Sequence, residues 1–213
     1  MTQNSNQAFA KLLRQPVVPV VTVDDPDRAV ALARALSDGG LPAIEVTLRT
    51  DAALRSIRAI VDALSGRVLV GAGTVRTPAQ GSEAIAAGAT FLVSPGVTPS
   101  LMQAAMEWRV PFLPGVATAS EAVALADMGY QFQKFFPAEQ AGGAAALQSL
   151  SAPLPDIAFC PTGGINAGNA ADYLALDNVV CVGGSWIAPK AAVDAGDWAA
   201  ICKLAQAASK LGG

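Results

Sequence analysis

The stretch AIEVTLRTDAALRSIRAIVDALSGRVLVG, residues 43–71, contains one strand, one helix and the strand that follows. Alternation of apolar and polar residues predicts a strand over 43–48, and the Ala-rich segment 51–64 has the composition and spacing of a helix. The apolar run 68–71 predicts the second strand. Because parallel strands need a long crossover, usually a helix, this stretch indicates a parallel sheet covered by helices.

The same unit repeats along the whole chain. Eight strands are predicted, at 17–23, 43–48, 68–71, 90–93, 110–113, 131–135, 157–160 and 179–182. Eight helices follow them, near 26–38, 51–64, 78–87, 99–107, 119–128, 143–150, 167–175 and 197–209, and a further short helix is expected near 5–14. Eight such units in 213 residues favour an α/β fold of the (β/α)8 TIM-barrel type, a single domain over residues 1–213. A doubly wound open sheet gives the same alternation and is the alternative.

Composition excludes several classes of function. The chain has no histidine, which removes Ser-His-Asp and Cys-His triads, histidine acid/base catalysis and zinc sites that need imidazole. Its net charge of −3 argues against general attraction to nucleic acid, so an anionic ligand must be held by local groups. No metal site or organic cofactor is expected.

Cysteine spacing and the first residues bear on location. Cys160, Cys181 and Cys202 form no CxxC pair, and the start MTQNSNQAFAKLLRQP has no apolar run like that of a signal peptide. The uncharged stretch 84–106 is long enough to span a bilayer, but its Gly, Pro and Ser residues indicate a helix end, a strand, a turn and a new helix. We therefore expect a cytoplasmic protein with no membrane or nucleic-acid partner.

The second predicted strand carries polar residues on one face. In 43–49, Glu45, Thr47 and Arg49 alternate with apolar residues, so they face away from the covering helices, into the lumen of a barrel. A carboxylate buried there is costly unless it is paired or used. One interpretation is a structural Glu45–Arg49 ion pair; the other is a general acid/base, Glu45, with Arg49 binding a substrate carboxylate.

The sixth predicted strand contains a lysine between aromatic residues. Lys134 shares a strand face with Phe132 and Phe136. An apolar pocket disfavours the ammonium form and supplies the neutral amine that attacks a ketone to form a Schiff base. The alternative is a lysine that extends its charge to solvent at the strand end.

Glycine pairs follow the last two strands, where barrels commonly bind phosphate through backbone N–H groups. Gly163 and Gly164 lie in CPTGGI, and Gly184 and Ser185 lie in VGGSW. We expect these four residues to form a phosphate site. After earlier strands, Thr74 and Pro95 are either turn residues or ligand contacts.

These motifs resemble, in order, those of the bacterial 2-keto-3-deoxy-6-phosphogluconate (KDPG) aldolases, which are Schiff-base enzymes on a (β/α)8 barrel. The shared segments are PVVPV (16–20), EVTLRT (45–50), VGAGTV (70–75), SPG (94–96), PGVAT (114–118), KFFPAE (134–139), FCPTGGI (159–165) and GGSW (183–186). Together they run through nearly the whole chain.

The resemblance implies a role for each matching residue. Lys134 would form the imine, Glu45 would be the acid/base, and Arg49 with Thr74 would bind the pyruvyl carboxylate. Pro95 and Phe136 match positions that line the imine pocket, and the four residues of the phosphate site match as well.

The implied reaction is cleavage of KDPG to pyruvate and D-glyceraldehyde 3-phosphate, without a cofactor and in a homotrimer. Thr162 matches the gluconate-type pattern, while aldolases for the galactonate epimer or for 4-hydroxy-2-oxoglutarate share the lysine and glutamate. A phosphosugar isomerase and a noncatalytic barrel that binds a phosphometabolite are the alternatives outside this reaction class.

Overall fold

The computed structural model describes Phe9 and residues 15–211. In this part of the chain the strands are β1 (Val17–Val21), β2 (Ala43–Thr47), β3 (Leu69–Gly73), β4 (Phe91–Val93), β5 (Phe112–Leu113), β6 (Gly115–Val116), β7 (Phe132–Phe135), β8 (Ala158–Pro161) and β9 (Val182–Gly184). The helices are α1 (Pro26–Asp38), α2 (Ala53–Leu64), α3 (Pro78–Ala86), α4 (Pro99–Ala105), α5 (Ala119–Asp127), α6 (Gly143–Ser151), α7 (Ala170–Leu174), α8 (Lys190–Ala195) and α9 (Trp198–Ala208).

All strand pairings are parallel, and they form two sheets. One has six strands in the order β5-β4-β3-β2-β1-β9, and the other has three in the order β6-β7-β8. The register sets Val20 beside Glu45 and Gly115 beside Lys134. The expected parallel α/β architecture is confirmed, but the eight predicted strands appear as nine, divided between two sheets.

The division has a local cause at Pro114. This residue separates β5, which pairs with β4, from β6, which pairs with β7. Proline has no N–H to donate, so it interrupts a ladder of hydrogen bonds. At the other side, isolated parallel bridges join Phe159 to Val179 and Thr162 to Gly183.

Helix starts follow capping residues that the sequence displays. The Asp25 carboxylate accepts a hydrogen bond from the N–H of Asp27 at 2.9 Å, and Pro26 occupies the first turn of α1. Thr77 and Thr98 cap α3 and α4 in the same way, each followed by proline. These signals explain why the predicted and observed starts of the three helices agree.

The core lies on both faces of the strands. Apolar residues such as Val17, Ile44 and Leu92 pack under the helices. A second, smaller group consists mainly of strand residues on the face away from the helices. We call it the inner cluster: Phe9, Val18, Ala43, Phe91, Val93, Leu113, Cys160 and Cys181. The strand positions that face away from the helices are thus filled by side chains.

Some predicted elements differ from the structure or lie outside its description, and one observed helix was not predicted. The last strand begins at Val182 rather than at 179, because residues 182–184 are those that pair with β1. Helix α8 was not predicted; it has six residues, none of them buried. The predicted helix near 5–14 lies outside the described residues except for Phe9, which is helical. In the described part of the chain, every helix falls short of the length and apolar character needed to cross a membrane.

Candidate active site

A lysine and a glutamate from different sheets meet in the interior. Lys134 Nζ lies 3.2 Å from Glu45 Oε1, and the two residues are only 5 % and 4 % exposed. They come from β7 and β2, 89 positions apart in sequence. The structure therefore brings together the predicted acid/base residue and the predicted amine. The Glu45–Arg49 ion pair, one interpretation of the sequence, is not what forms: Glu45 pairs with Lys134.

Gly73, the last residue of the neighbouring strand β3, makes room for the Glu45 side chain. A Cβ atom on Gly73 would lie 2.0 Å from Glu45 Oε1, so a larger residue would displace the carboxylate. The Phe136 ring covers the other partner, with its centroid 5.4 Å from Lys134 Nζ. The amine is consequently enclosed by a carboxylate and an aromatic ring, and the lysine does not extend to solvent.

Arg49 and Thr74 lie together at the ends of β2 and β3. Arg49 Nε donates a hydrogen bond of 3.3 Å to Thr74 Oγ1. Thr74 has φ of 61°, in the left-handed region that a β-branched residue rarely occupies. Such backbone conformations concentrate at functional sites, where the surrounding structure holds them. Arg49 is exposed, so its guanidinium is accessible to a ligand.

Pro95 lies close to the strand beside the lysine. A Cβ atom on Gly115 would meet the Pro95 carbonyl carbon at 2.4 Å, and Gly115 is the register partner of Lys134. Pro95 therefore belongs to the surroundings of the imine position predicted from the sequence.

The predicted phosphate residues lie at the carboxyl ends of β8 and β9. We call residues 163–164 and 184–185 the glycine loops. Thr162, itself buried, forms a bridge to Gly183, which brings the two loops side by side. Gly163 packs against Phe136 and Pro137, so the first loop lies next to the aromatic residue that covers the amine.

The first glycine loop has accessible backbone donors. Within the described residues, the N–H groups of Gly163 and Gly164 donate no backbone hydrogen bond, and Gly164 is exposed. The Gly164 carbonyl accepts hydrogen bonds of 3.3 Å from the side chains of Asn166 and Asn169. With its carbonyl engaged in this way, the loop presents N–H groups, which are suited to an anion.

A cavity of about 730 Å³ opens beside Ser185, lined mainly by residues that follow β1 and β9. Among the predicted site residues it touches only Ser185. Its cations are already engaged: Arg28 donates to the Val193 and Asp194 carbonyls, and Lys190 pairs with Asp194 at 2.9 Å. The cavity therefore provides space next to the second glycine loop, but Arg28 and Lys190 are not free to bind an anion there.

Sequence reasoning missed three contacts around the site. The hydroxyl oxygens of Thr22, just after β1, and Thr47, at the end of β2, lie 2.9 Å apart, and the Tyr173 hydroxyl donates to Glu139 Oε1. Cys160, the register partner of Lys134, has its sulfur 3.2 Å from that of Cys181. Glu139 was visible in KFFPAE, but nothing in the sequence indicated its partner.

Cys160 and Cys181 of the inner cluster are buried free thiols. The hydrogen bond with Cys160, burial and the charge of Glu45 raise the pKa of the Cys181 thiol well above its ordinary value of 9.0. This thiol stays protonated and is a poor nucleophile at neutral pH. In the part of the chain that the structure describes, no group of three or more Cys, Asp or Glu residues could hold a metal ion.

Comparison with known proteins identifies the family. The model of the KDPG and KHG aldolase family matches residues 9–204. A 2-dehydro-3-deoxy-phosphogluconate aldolase of Pseudoalteromonas atlantica is 47 % identical over 209 residues, which cover 98 % of this chain and 97 % of that one. The KHG/KDPG aldolase of Escherichia coli K12 is 49 % identical over 193 residues, 91 % and 90 % of the two chains.

A solved structure is also similar. It is a KDPG aldolase of Legionella pneumophila in which pyruvate was captured as a covalent carbinolamine intermediate. It superposes with a TM-score of 0.89 at 44 % identity, over 92 % of this chain and 95 % of that one. The resemblance read from the sequence motifs is confirmed: this chain belongs to the KDPG and KHG aldolase family.

Proposed function

We propose that this protein is a class I aldolase, a lyase that cleaves KDPG to pyruvate and D-glyceraldehyde 3-phosphate through a Schiff base on Lys134. The observation that carries the proposal is the buried contact of 3.2 Å between Lys134 Nζ and Glu45 Oε1. A neutral amine is the nucleophile that a Schiff base needs, and a carboxylate at this distance can accept the ammonium proton. The names of the relatives at 47–49 % identity support the same reaction.

The first half of the reaction forms the imine. Lys134 Nζ attacks C2 of the keto acid to give a carbinolamine, and Glu45, acting through a bound water, supplies the proton with which the C2 hydroxyl leaves as water. The protonated imine accepts electrons far more readily than the ketone did. Phe136 and Pro95 shield this position, and Arg49 with Thr74 binds the carboxylate of the substrate.

The second half breaks the carbon–carbon bond. Glu45 removes the proton of the C4 hydroxyl, the electrons of the C3–C4 bond move into the imine, and D-glyceraldehyde 3-phosphate departs. The remaining enamine is protonated at C3, and water then releases pyruvate and regenerates Lys134. No step requires a metal or an organic cofactor, and Glu45 serves as both acid and base.

The phosphate of the substrate is assigned to the glycine loops. Gly184 is the buried last residue of β9 and pairs with Pro19 of β1, whereas Gly163, Gly164 and Ser185 offer backbone and hydroxyl donors at the ends of β8 and β9. Donors of this kind hold a phosphate without a lysine. Thr162, whose side chain packs over Gly183, is assigned to the same region, and its match to the gluconate-type motif supports the gluconate-derived substrate.

The wider context belongs to the same proposal. We infer that the two sheets close into one (β/α)8 barrel comprising a single domain over residues 1–213, since β5 and β6 are consecutive and bridges link β8 to the β9 region. The protein is proposed to be a cytoplasmic homotrimer that binds neither nucleic acid nor membrane. Light scattering after gel filtration tests the trimer.

A coupled lactate dehydrogenase assay tests the function. KDPG, its galactonate epimer and 4-hydroxy-2-oxoglutarate are compared side by side, and pyruvate release from KDPG is expected with the highest kcat/KM. A higher value for either other substrate would assign the enzyme to that related aldolase activity. Release of pyruvate from none of them would overturn the aldolase assignment and favour the isomerase or the binding protein.

A further inference from the structure

Tyr173 makes a contact that the proposed mechanism does not use. Its side chain lies in α7 and is 1 % exposed, and its hydroxyl donates a hydrogen bond to Glu139 Oε1. Glu139 belongs to the segment that follows β7, two residues beyond Pro137. The contact therefore connects the helix after β8 to the loop that follows the Schiff-base lysine.

Glu139 lies directly against the first glycine loop. Its N–H donates to the Gly163 carbonyl at 3.1 Å, and the neighbouring Ala138 N–H donates to the Thr162 carbonyl at 2.8 Å. A Cβ atom on Gly164, which has φ of +79°, would lie 2.5 Å from Glu139 Cγ. The segment that contains Glu139 is thus joined to the first glycine loop by hydrogen bonds and by van der Waals contact.

The carboxylate end of Glu139 lies on the side of α6 and α7. Its Oε1 would be 3.6 Å from a Cβ atom on Gly143, next to the Tyr173 hydroxyl, whereas its Cβ and Cγ are the atoms that contact Gly164. A carboxylate released from this position could approach the N–H groups of the glycine loop. There it would compete with a phosphate for the same donors and repel it.

We propose that Tyr173 is a positioning residue for the phosphate end of the substrate: its hydroxyl holds the Glu139 carboxylate on the side of α7 and leaves the Gly163–Gly164 amides free for the phosphate. The inference rests on the proposed function, because it assumes a phosphorylated substrate in the glycine loops. Burial, the hydrogen bond to Glu139 and the charge of Glu139 all raise the pKa of the Tyr173 phenol, so it remains a donor at neutral pH.

The test is Tyr173→Phe, assayed with KDPG and with the unphosphorylated 4-hydroxy-2-oxoglutarate. The KM for KDPG is expected to rise roughly tenfold, in the range for loss of a hydrogen bond to a charged group, with kcat within about twofold. The KM for the unphosphorylated substrate stays the same. An equal change for both substrates, or no change in either, would overturn the proposal.

Tyr130→Phe is the matched control. The chain has two tyrosines, and Tyr130 is also buried, at 5 % exposure, with its ring against Phe112. Removal of its hydroxyl is expected to leave the KM ratio of the two substrates unchanged. A ratio that moves as much in this variant as in Tyr173→Phe would show a general effect of losing a buried hydroxyl and would contradict a specific role.

Changes at Glu139 separate charge from packing. Glu139→Gln combined with Tyr173→Phe is expected to restore the KM for KDPG, because a neutral amide does not repel phosphate. Glu139→Asp alone keeps the charge on a shorter side chain that no longer reaches Tyr173, so it raises the same KM, and added salt reduces the increase. This variant tests the idea even where Tyr173→Phe fails to fold. Failure of restoration in the double variant, or an unaltered KM in Glu139→Asp, argues against the proposal.

Failure of the Tyr173 proposal can be distinguished from failure of the proposed function. If the unaltered protein releases no pyruvate from KDPG, the proposed function fails. If it does release pyruvate and the variants leave the KM ratio unchanged, the role of Tyr173 alone is wrong.

Discussion

The candidate site has two halves that differ in their chemical groups: an imine half around Lys134 and Glu45, and a phosphate half formed by the glycine loops. Lys134 and Glu45 are buried side chains whose amine nitrogen and carboxylate oxygen lie 3.2 Å apart. The glycine loops range from the buried Gly184 to the exposed Gly164 and Ser185, and the first of them offers backbone N–H groups. Changes in the first half should therefore affect the chemistry of every substrate, whereas changes in the second should affect only the binding of phosphorylated ones.

The largest effect is expected from Lys134→Met. Without the amine no Schiff base forms, so pyruvate release should fall below detection for phosphorylated and unphosphorylated substrates alike. The coupled assay measures this loss. Lys203→Met, a change at an exposed helix residue, is the control and should retain normal turnover. Substantial activity in Lys134→Met would contradict the claim that the imine half is needed for every substrate.

Glu45→Gln should give the next largest effect. Proton-transfer groups typically contribute about 10² to 10⁴ in rate, so kcat should fall by a factor in that range for both kinds of substrate. Some imine formation should persist, which borohydride trapping followed by mass spectrometry detects. Glu83→Gln, at an exposed position of α3, is the control. Turnover equal to that of the unaltered protein would remove the acid/base role from Glu45.

Ser185→Ala tests the phosphate half. Loss of one hydrogen bond to a charged group costs about 1.5–3 kcal/mol, which corresponds to a rise of roughly 10- to 100-fold in the KM for KDPG. The KM for 4-hydroxy-2-oxoglutarate should stay unchanged, as should both constants in the control Ser82→Ala. Equal increases for the two substrates would argue that Ser185 does not bind the phosphate.

The smallest effect is expected at Cys181, a member of the inner cluster. The pKa of Cys181 is raised in the folded chain, so its thiol loses its proton first in the unfolded chain. The stability that the neutral thiol contributes is therefore complete below its ordinary pKa of 9.0 and is lost as the pH rises beyond that value.

Urea unfolding between pH 8 and pH 10.5 measures this loss. The slope due to one thiol is on the order of 1 kcal/mol per pH unit. Cys181→Ala should flatten the fall in the free energy of unfolding, whereas Cys202→Ala, outside the inner cluster, should not. Identical curves for the two variants would be inconsistent with the assigned environment of Cys181.

The fold was predictable to the extent that its signals are local. Asp25 and Pro26 mark the start of α1 in the sequence itself, and the start observed is the one expected. The division into two sheets depends on Pro114 failing to donate at one particular ladder position, which requires the pairing of β5 and β6 to be known. Helix α8 has six residues and none of them is fully buried, so it is too short to show a periodic apolar pattern.

The site was predictable residue by residue but not contact by contact. Alternation along β2 and β7 puts Glu45 and Lys134 on inward faces, yet their pairing across 89 positions depends on how the strands are arranged in space. For this reason the sequence left a Glu45–Arg49 pair open. The same limit applies to Tyr173 and Glu139. Nothing in the sequence near either residue indicates that the two side chains meet beside the first glycine loop.

Reductive trapping with pyruvate tests the central claim most directly. The protein is incubated with pyruvate and sodium borohydride, digested, and searched by mass spectrometry for the lysine that carries the reduced adduct. The adduct is expected on Lys134 and on no other lysine of the chain. An adduct on a different lysine, or no adduct while KDPG is still cleaved, would contradict the mechanism.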